Sequence, residues 1–303
     1  MPAVSGVVWS GRPTDWWADG FILGTTMPTP SNTGVPAGTA LRAVTGDVQV
    51  TQSGVLLEGL DISGFLRIRA NNVWVRNCRI RGGVGTAGTF RAFVDVNSTA
   101  YSGTVLERCS IGTAIADGGT PTVDSYGPTG SGFSLIRCCV RGVVDGLNTQ
   151  GHDIAVWGNY LETVTLPNDP RQGGGASHSD GIQAAFGTRW DIRGNYLTVE
   201  PTGTANAASA MLFSPYAGDI RDVVVDSNWI VGDSTGAAGY KDAIVTWRPT
   251  GNGDAGTGDR YTVTNNRIGA CRDETNFKLG QTVVSSGNVL YPAGTPIVDQ
   301  WNA

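Results

Sequence analysis

The residues best suited to chemistry lie in the motif His178-Ser179-Asp180-Gly181-Ile182-Gln183, which opens an apolar strand after the glycine-rich run 172–176. Aspartate and histidine are the usual general acids and bases of enzymes, and a pair of carboxyl groups is the usual requirement for cleaving a glycosidic bond. The motif therefore makes His178 and Asp180 catalytic candidates facing a polysaccharide, with Gln183 as a binding candidate.

Two further aspartates begin strands that are equivalent to the one after Asp180. Asp145 lies in VDGL and Asp242 lies in KDAI, whereas the coil between Asp180 and Asp242 has Ser209 at this place. If Asp145 and Asp180 lie on adjacent rungs, one carboxyl group could be held protonated, or a cation could bridge the two. Asp145 is thus the third catalytic candidate and Asp242 a binding candidate. The structural alternative is that these carboxylates accept hydrogen bonds from nearby backbone N–H groups.

These candidates are positioned by a repeated eight-residue phrase. Its first and third places are mostly apolar, its sixth is Cys or Asn, and its eighth is Ile, Leu or Val. The copies are VWVRNCRI (73–80), TVLERCSI (104–111), FSLIRCCV (133–140), IAVWGNYL (154–161), WDIRGNYL (190–197), VVVDSNWI (223–230) and YTVTNNRI (261–268). A repeated unit that cannot bury its own apolar face must stack on its neighbours.

The repeat predicts an all-β, single-stranded right-handed parallel β-helix of about eight to nine coils with loop insertions. The chain is expected to turn at the sixth place, where stacked amides would form a ladder of Asn159, Asn195, Asn228 and Asn266. Cysteines would continue this column as small apolar fillers rather than as metal ligands. We assign residues 31–303 to the β-helix. Residues 1–30, with Trp9, Trp16 and Trp17, form an N-terminal capping or docking segment.

The seventh place of the phrase is predicted to face outward, where consecutive coils present Tyr160, Tyr196 and Trp229, with Trp157 on the same side. Exposed aromatic side chains in a row suit the faces of sugar rings or a second protomer. The alternative is that a loop covers them.

The composition of the chain argues against some classes of binding partner. A net charge of −5 and a pI near 5.0 argue against a nucleic-acid partner, which would require clustered Lys and Arg. No apolar run is long enough to insert into a membrane, and no secretion signal precedes the fold, so we expect synthesis in the cytoplasm. No metal or cofactor is predicted. Calcium is a weak alternative, suggested by the run 251–259, which is more typical of a surface loop.

The runs PSNTGVPAGTAL, GVLLEGLDISGFLRIRANNVWVRNCRIRGG and SHSDGIQ, the last followed by WDIRGNYL, carry a family resemblance that covers residues 28–300. The chain resembles the pectate-lyase-like β-helix proteins of actinobacteria and their phages, in which such chains are commonly minor tail proteins. This resemblance implies a virion location in the phage tail. The implied partners are other phage tail proteins and host cell-surface polysaccharide. A homotrimer is a hypothesis by analogy with phage β-helix spikes, further motivated by the aromatic column.

Two functions follow. The favoured one is a non-catalytic virion protein, of minor tail or tail spike type, that presents a β-helix surface for host glycan binding or tail assembly. The alternative is a polysaccharide lyase or glycoside hydrolase that uses Asp180, His178 and Asp145. Lyases of this superfamily typically combine calcium-binding carboxylates with a Lys or Arg base, and that set is not recognisable in the sequence. Whether the protein is an enzyme is left open here, with the non-catalytic function preferred.

Overall fold

The computed structural model describes residues 7–8, 19–82, 91–96, 99–113, 125–169, 172–200, 207–231, 240–246, 255–269, 271, 277–278 and 283–297. In these ranges the chain forms short strands joined by turns, and no α-helix occurs. The architecture is an all-β, right-handed parallel β-helix, which confirms the predicted fold class. None of the described residues forms a helix that could span a membrane.

Three faces surround the core, and strands are numbered in chain order. Face 1 is a ten-stranded sheet of β1 (Val7–Val8), β4 (Val55–Glu58), β7 (Trp74–Arg76), β10 (Thr104–Glu107), β13 (Phe133–Ile136), β16 (Ile154–Trp157), β19 (Gly187–Arg193), β22 (Ile220–Asp226), β25 (Gly258–Thr264) and β28 (Val283–Ser286). Face 2 is a ten-stranded sheet of β2 (Arg42–Thr45), β5 (Leu60–Ser63), β8 (Arg79–Ile80), β11 (Ser110–Gly112), β14 (Cys139–Val143), β17 (Tyr160–Val164), β20 (Tyr196–Glu200), β23 (Trp229–Ile230), β26 (Arg267–Ile268) and β29 (Val289–Leu290).

Face 3 consists of two shorter sheets. The first contains β3 (Val48–Val50), β6 (Leu66–Ile68), β9 (Arg91–Val96) and β12 (Ser125–Gly130). The second contains β15 (Leu147–Thr149), β18 (Ile182–Ala184), β21 (Ala207–Phe213), β24 (Tyr240–Thr246) and β27 (Phe277–Lys278). A parallel bridge between Tyr126 and Asp145 connects the two sheets. Each complete coil therefore runs from face 1 through face 2 to face 3.

The repeat phrase forms the corner between face 1 and face 2. Its first four places lie in or beside a face 1 strand, and its eighth lies in face 2, so places one, three, six and eight point into the core. Register pairs Val156 with Ile192 on face 1 and Leu161 with Leu197 on face 2. Like side chains are thus stacked one coil apart, as the sequence pattern predicts.

The predicted asparagine ladder is present and extends to Asn288. From Asn159 to Asn266, each amide nitrogen donates to the Oδ1 of the next asparagine at 2.9–3.0 Å, and also to a backbone carbonyl of the preceding coil at 2.8–3.1 Å. The Asn288 amide nitrogen donates to the Val263 carbonyl and to the Ser285 hydroxyl. Asn159 Oδ1 in turn accepts the backbone N–H of Cys138 at 2.7 Å, where the cysteine column begins. Every polar atom of the buried ladder amides is therefore satisfied, which permits their burial.

The cysteine column continues the ladder and is joined to it by the hydrogen bond from the Cys138 backbone N–H to Asn159 Oδ1. Cys78, Cys109 and Cys138 are fully buried free thiols. The pKa of Cys109 is raised well above its usual value by burial and by contact with the Cys138 thiol. A thiol that stays protonated is a poor nucleophile and a poor metal ligand, so Cys109 acts as a core filler.

The corner turn differs from the prediction by one residue. The fifth place of the phrase, not the sixth, adopts the left-handed conformation, as shown by Asn77 (φ 50°), Gly158 (φ 63°) and Asn265 (φ 56°). Asn and Gly tolerate this conformation best, and placing it one residue earlier leaves the sixth side chain pointing inward. Two arginines, Arg108 and Arg137, also occupy this place.

Residues 19–40 form an N-terminal strap that packs along the corner between face 1 and face 2. Asp19 pairs with Arg108 at 2.9 Å and with Arg137 at 2.7 Å, and the Arg137 guanidinium lies 4.4 Å from the centre of the Phe21 ring. Further along the helix, Arg267 donates to the carbonyl of Gly24. Ahead of the strap, β1 pairs antiparallel with β4. The tryptophans at 9, 16 and 17 lie outside the described residues.

Candidate functional site

An open groove of about 360 Å³ lies on face 3. Strands β12, β15 and β18 form its floor, and the segments that follow β15 and β21 and that precede β18 form its rim. We call it the face 3 groove, and its lining residues are Tyr126, Asp145, Asn148, Gln150, Gln172, His178, Gln183 and Tyr216. The groove thus brings together three of the predicted site residues, Asp145, His178 and Gln183.

Alternation along the strands places two amide side chains on the floor of the groove. Asn148 and Gln183 occupy the outward middle positions of β15 and β18 and are paired in register. The Asn148 amide nitrogen donates to Gln183 Oε1 at 2.6 Å and to Asp145 Oδ2 at 2.9 Å. Because a carboxylate only accepts hydrogen bonds, Asp145 fixes the orientation of the Asn148 amide, which then fixes that of Gln183.

The two aspartates occupy adjacent rungs as predicted, but their carboxylates bond within the fold. Asp145 and Asp180 are only 3% and 2% exposed. Asp145 Oδ1 accepts the backbone N–H of Asp180 at 2.9 Å, and Asp180 Oδ1 accepts that of Ser209 at 2.8 Å. Each carboxylate thus accepts a hydrogen bond from the backbone of the next coil where that coil enters face 3. This is the structural alternative that the sequence analysis gave for these aspartates.

Burial and the neighbouring Asp145 carboxylate raise the pKa of Asp180 well above its usual value. Both causes act in the same direction, because charge is disfavoured in a dry site and beside another negative charge. Asp180 therefore binds its proton more tightly than an ordinary aspartate does. Asp145 forms part of the groove wall, whereas Asp180 is not among the lining residues.

His178 is exposed at the rim, and the residues on either side of it are buried. Ser177 and Ser179 are hydrogen-bonded to each other through their hydroxyls at 3.0 Å, and Ser179 also donates to the carbonyl of Val164. This anchoring turns the intervening His178 side chain outward. His178 thus faces the groove, while Asp180, two residues on, faces the interior.

Several groove residues were not identified from the sequence. Tyr216 is 45% exposed, and its hydroxyl accepts a hydrogen bond from Gln150 at 3.4 Å. Tyr126 lines the opposite part of the groove, and Gln172 belongs to the glycine-rich run before His178. One feature of the sequence could have identified Tyr216 as a groove residue. Tyr216 lies in the loop directly after a face 3 strand, and loops at this place project beside the strands of adjacent coils.

The aromatic column is not the exposed stripe that the sequence predicts. Trp229 is only 4% exposed, because the Arg267 guanidinium lies 4.5 Å from the centre of its ring and is itself bonded to Gly24 of the strap. Tyr160 and Tyr196 are half-buried and stack on each other, with ring centroids 5.3 Å apart. Trp229 therefore faces outward from the coil but is not exposed, which is the alternative considered for the column, since a distant chain segment helps to cover this corner.

The remaining candidates lie away from the groove. Trp157 is half-buried on face 1, where it donates a hydrogen bond to Asp191 at 3.2 Å. Asp242 is buried and pairs in register with Ser209, as the sequence alignment of coils predicts, but it does not line the groove. Among the described residues, no three His, Cys, Asp or Glu side chains are grouped so as to hold a metal ion. Residues 251–254 of the glycine-rich run 251–259 lie outside the described residues.

No protein-family model matches the chain, and no curated protein is significantly similar to it in sequence. The proposals below therefore depend on the geometry of the groove and on the resemblance noted in the sequence.

Proposed function

We propose that the face 3 groove binds a polysaccharide without cleaving it, and that the chain is a phage tail component that presents this groove to the surface of the host cell. The observation that carries the proposal is that the groove exposes amide, imidazole and phenol groups, while Asp145 in its lining and the buried Asp180 are bonded to the backbone. Such a surface can recognise sugar hydroxyls, and its described lining contains no free pair of carboxyl groups.

The absence of free carboxylates in the groove weighs against glycosidic cleavage by the predicted residues. Hydrolysis needs one carboxyl group to protonate the leaving oxygen and a second to act as base or nucleophile, both in contact with the sugar. Asp180 is buried, and Asp145 uses one oxygen for the backbone of the next coil and the other for Asn148. His178 alone reaches the groove as an exposed acid–base group.

The composition of the groove suits a carbohydrate. Asparagine and glutamine side chains offer both donors and acceptors to hydroxyl groups, and the exposed ring of Tyr216 offers a flat surface for a sugar ring. The floor is held by parallel strands in fixed register, so little conformational entropy is lost when a glycan binds. These features support binding by a preformed site.

The proposed location follows from the resemblance to minor tail proteins. A continuous β-helix is a rigid scaffold, and its outward face can carry a binding site at a fixed distance from the rest of a tail. Other phage tail proteins are the proposed structural partners. Detection of the chain in purified phage particles, by mass spectrometry of their tails, would test this location directly.

The binding proposal is tested by measuring glycan affinity and glycan turnover on the same samples. We expect Tyr216→Ala to weaken binding of soluble host cell-wall polysaccharide by roughly fivefold, because one stacking surface contributes on the order of 1 kcal/mol. Tyr216→Phe should retain most of the affinity. Tyr101→Ala is the matched control, because Tyr101 is partly exposed but does not line the groove.

Turnover decides between binding and catalysis. We expect no release of reducing ends or unsaturated sugars by the wild-type protein, and no change on Asp180→Asn or Asp145→Asn. Release of sugars that Asp180→Asn abolishes would overturn the proposal in favour of a lyase or glycoside hydrolase. Equal binding by the wild type and Tyr216→Ala would place any glycan site elsewhere.

A further inference from the structure

We infer that the face 3 groove selects uncharged glycans and discriminates against chains of uronic acids. This inference rests on the proposed function and specifies the chemical class of its ligand. It is carried by the charge of the groove lining and by the direction in which the two floor amides are held.

The described lining residues of the groove include no lysine or arginine. Proteins that bind carboxylates do so with the paired donors of arginine, with lysine, or with a bound cation. The described part of the chain also contains no group of three or more potential metal ligands that could bring calcium to the site.

The groove wall contributes negative charge instead. Asp145 is part of the lining, and its negative charge is one of the causes that raise the pKa of Asp180. The chain as a whole carries a net charge of −5. A polyuronate entering the groove would therefore bring like charges together, which disfavours the complex.

The floor amides present a pattern that matches hydroxyls. Asn148 uses its nitrogen for Asp145 and Gln183, which leaves its Oδ1 as an acceptor for a ligand. Gln183 uses its Oε1 for Asn148, which leaves its amide nitrogen as a donor. A sugar hydroxyl can meet both atoms, because it donates and accepts. A carboxylate can meet only the Gln183 nitrogen and would face the Asn148 oxygen with another acceptor.

The test uses oligosaccharide pairs of equal length that differ only at C6, where one member carries a hydroxymethyl group and the other a carboxylate, in the gluco, galacto and manno series. Affinity is measured by titration calorimetry at low salt. We expect the neutral member of at least one pair to bind roughly tenfold or more tightly than its uronate. Binding of the uronate as tightly as, or more tightly than, the neutral member would overturn the inference and leave the glycan-binding proposal intact.

A charge added to the floor provides the second readout. Gln183→Lys is expected to narrow or reverse the preference by raising uronate affinity, whereas Gln49→Lys should leave it unchanged. Gln49 is the matched control because it occupies an outward position in β3 on the same face but does not line the groove. An unchanged preference in folded Gln183→Lys would contradict the inference. If no member of any series binds, and host polysaccharide does not bind either, the proposed function itself fails.

Discussion

Asp180 shows how one buried side chain couples the fold to pH. Its carboxylate holds the backbone N–H of Ser209, while burial and Asp145 raise its pKa. Because the folded protein holds this proton more tightly than the unfolded chain does, the group contributes stability at low pH. That contribution is lost as the pH rises from the pKa of Asp180 in the unfolded chain through its pKa in the folded protein.

We therefore expect Asp180→Asn to become more favourable relative to the wild type as the pH is raised from about 3 to 7. The neutral amide can still accept the Ser209 N–H but has no charge to bury, and the difference should grow by about 1.4 kcal/mol per pH unit until the folded pKa is reached. Urea unfolding at several pH values measures this. A difference that does not change with pH would contradict the raised pKa of Asp180.

Among the elements, the asparagine ladder fixes the corner between face 1 and face 2. Asn195 receives hydrogen bonds from the backbone and side chain of Asn159, and it donates to Asn228 and to the carbonyl of Val156. Its removal would take from the preceding coil the hydrogen-bond partners of the buried Asn159 N–H and of the buried Val156 carbonyl. The cost of such groups exceeds the net gain from forming the bonds.

We expect Asn195→Ala to lower the free energy of unfolding by about 3 kcal/mol or more, as measured by urea denaturation. Asn288→Ala, at the end of the ladder where the residue has slight solvent access, should cost less, because water can reach the atoms left behind. Equal costs at the two positions would show that continuity of the ladder is unimportant. Cys138→Ala in the adjoining column should cost less than Asn195→Ala, because it removes the packing of a small side chain and one weak sulfur hydrogen bond from the Cys109 N–H.

The strap is the second element with a measurable role. Asp19 bridges arginines of two successive coils, and its hydrogen bond to Arg137 lowers its pKa to about 2. The pKa of Asp19 in the folded protein lies below its pKa in the unfolded chain. The stability that its ion pairs contribute is therefore present above about pH 4 and is lost as the pH falls toward 2. The side chain is partly exposed, so solvent screens much of the interaction.

We expect Asp19→Asn to speed hydrogen exchange of the strap amides by about fivefold at pH 7, equivalent to about 1 kcal/mol for a partly screened ion pair. The reporter is the Gly34 amide, which donates to the carbonyl of Arg137. Asp153→Asn is the control, because Asp153 forms a comparable pair with Arg189 at a different corner. Faster Gly34 exchange in the control as well would indicate a general loss of stability instead.

At the scale of the whole molecule, the covered aromatic column changes the argument for a homotrimer. Trp229 is buried within the chain, and Tyr160 and Tyr196 stack on each other, so the described part of this column is not a ready protomer contact. The trimer remains a prediction from the resemblance alone. Light scattering of the purified chain should give three times its mass of 31.6 kDa if the trimer forms by itself. A mass of one chain would contradict self-assembly outside the tail.

The sequence by itself determined which side chains point into the core and how they stack from coil to coil. The Asn and Cys column, the register of the coils and the adjacency of Asp145 and Asp180 follow from a repeat in which each side chain meets its counterpart one coil away. Such neighbours are set by local periodicity, which a single sequence displays. The ladder from Asn159 to Asn266 could therefore be predicted residue by residue, apart from its extension to Asn288 and a one-residue shift of the turn.

Only the tertiary structure decided what lies outside the coils. Trp229 is covered because Arg267 is bonded to the strap, 243 residues away along the chain. The groove likewise combines Tyr216, Gln150 and Gln172 from loops whose lengths follow no repeat. The exposure of an outward-facing side chain depends on contacts with chain segments that are distant in sequence. The repeat of core-facing residues does not determine these contacts. For that reason the sequence located Asp145, His178 and Gln183 but not the loop residues Gln150 and Tyr216 that complete the groove.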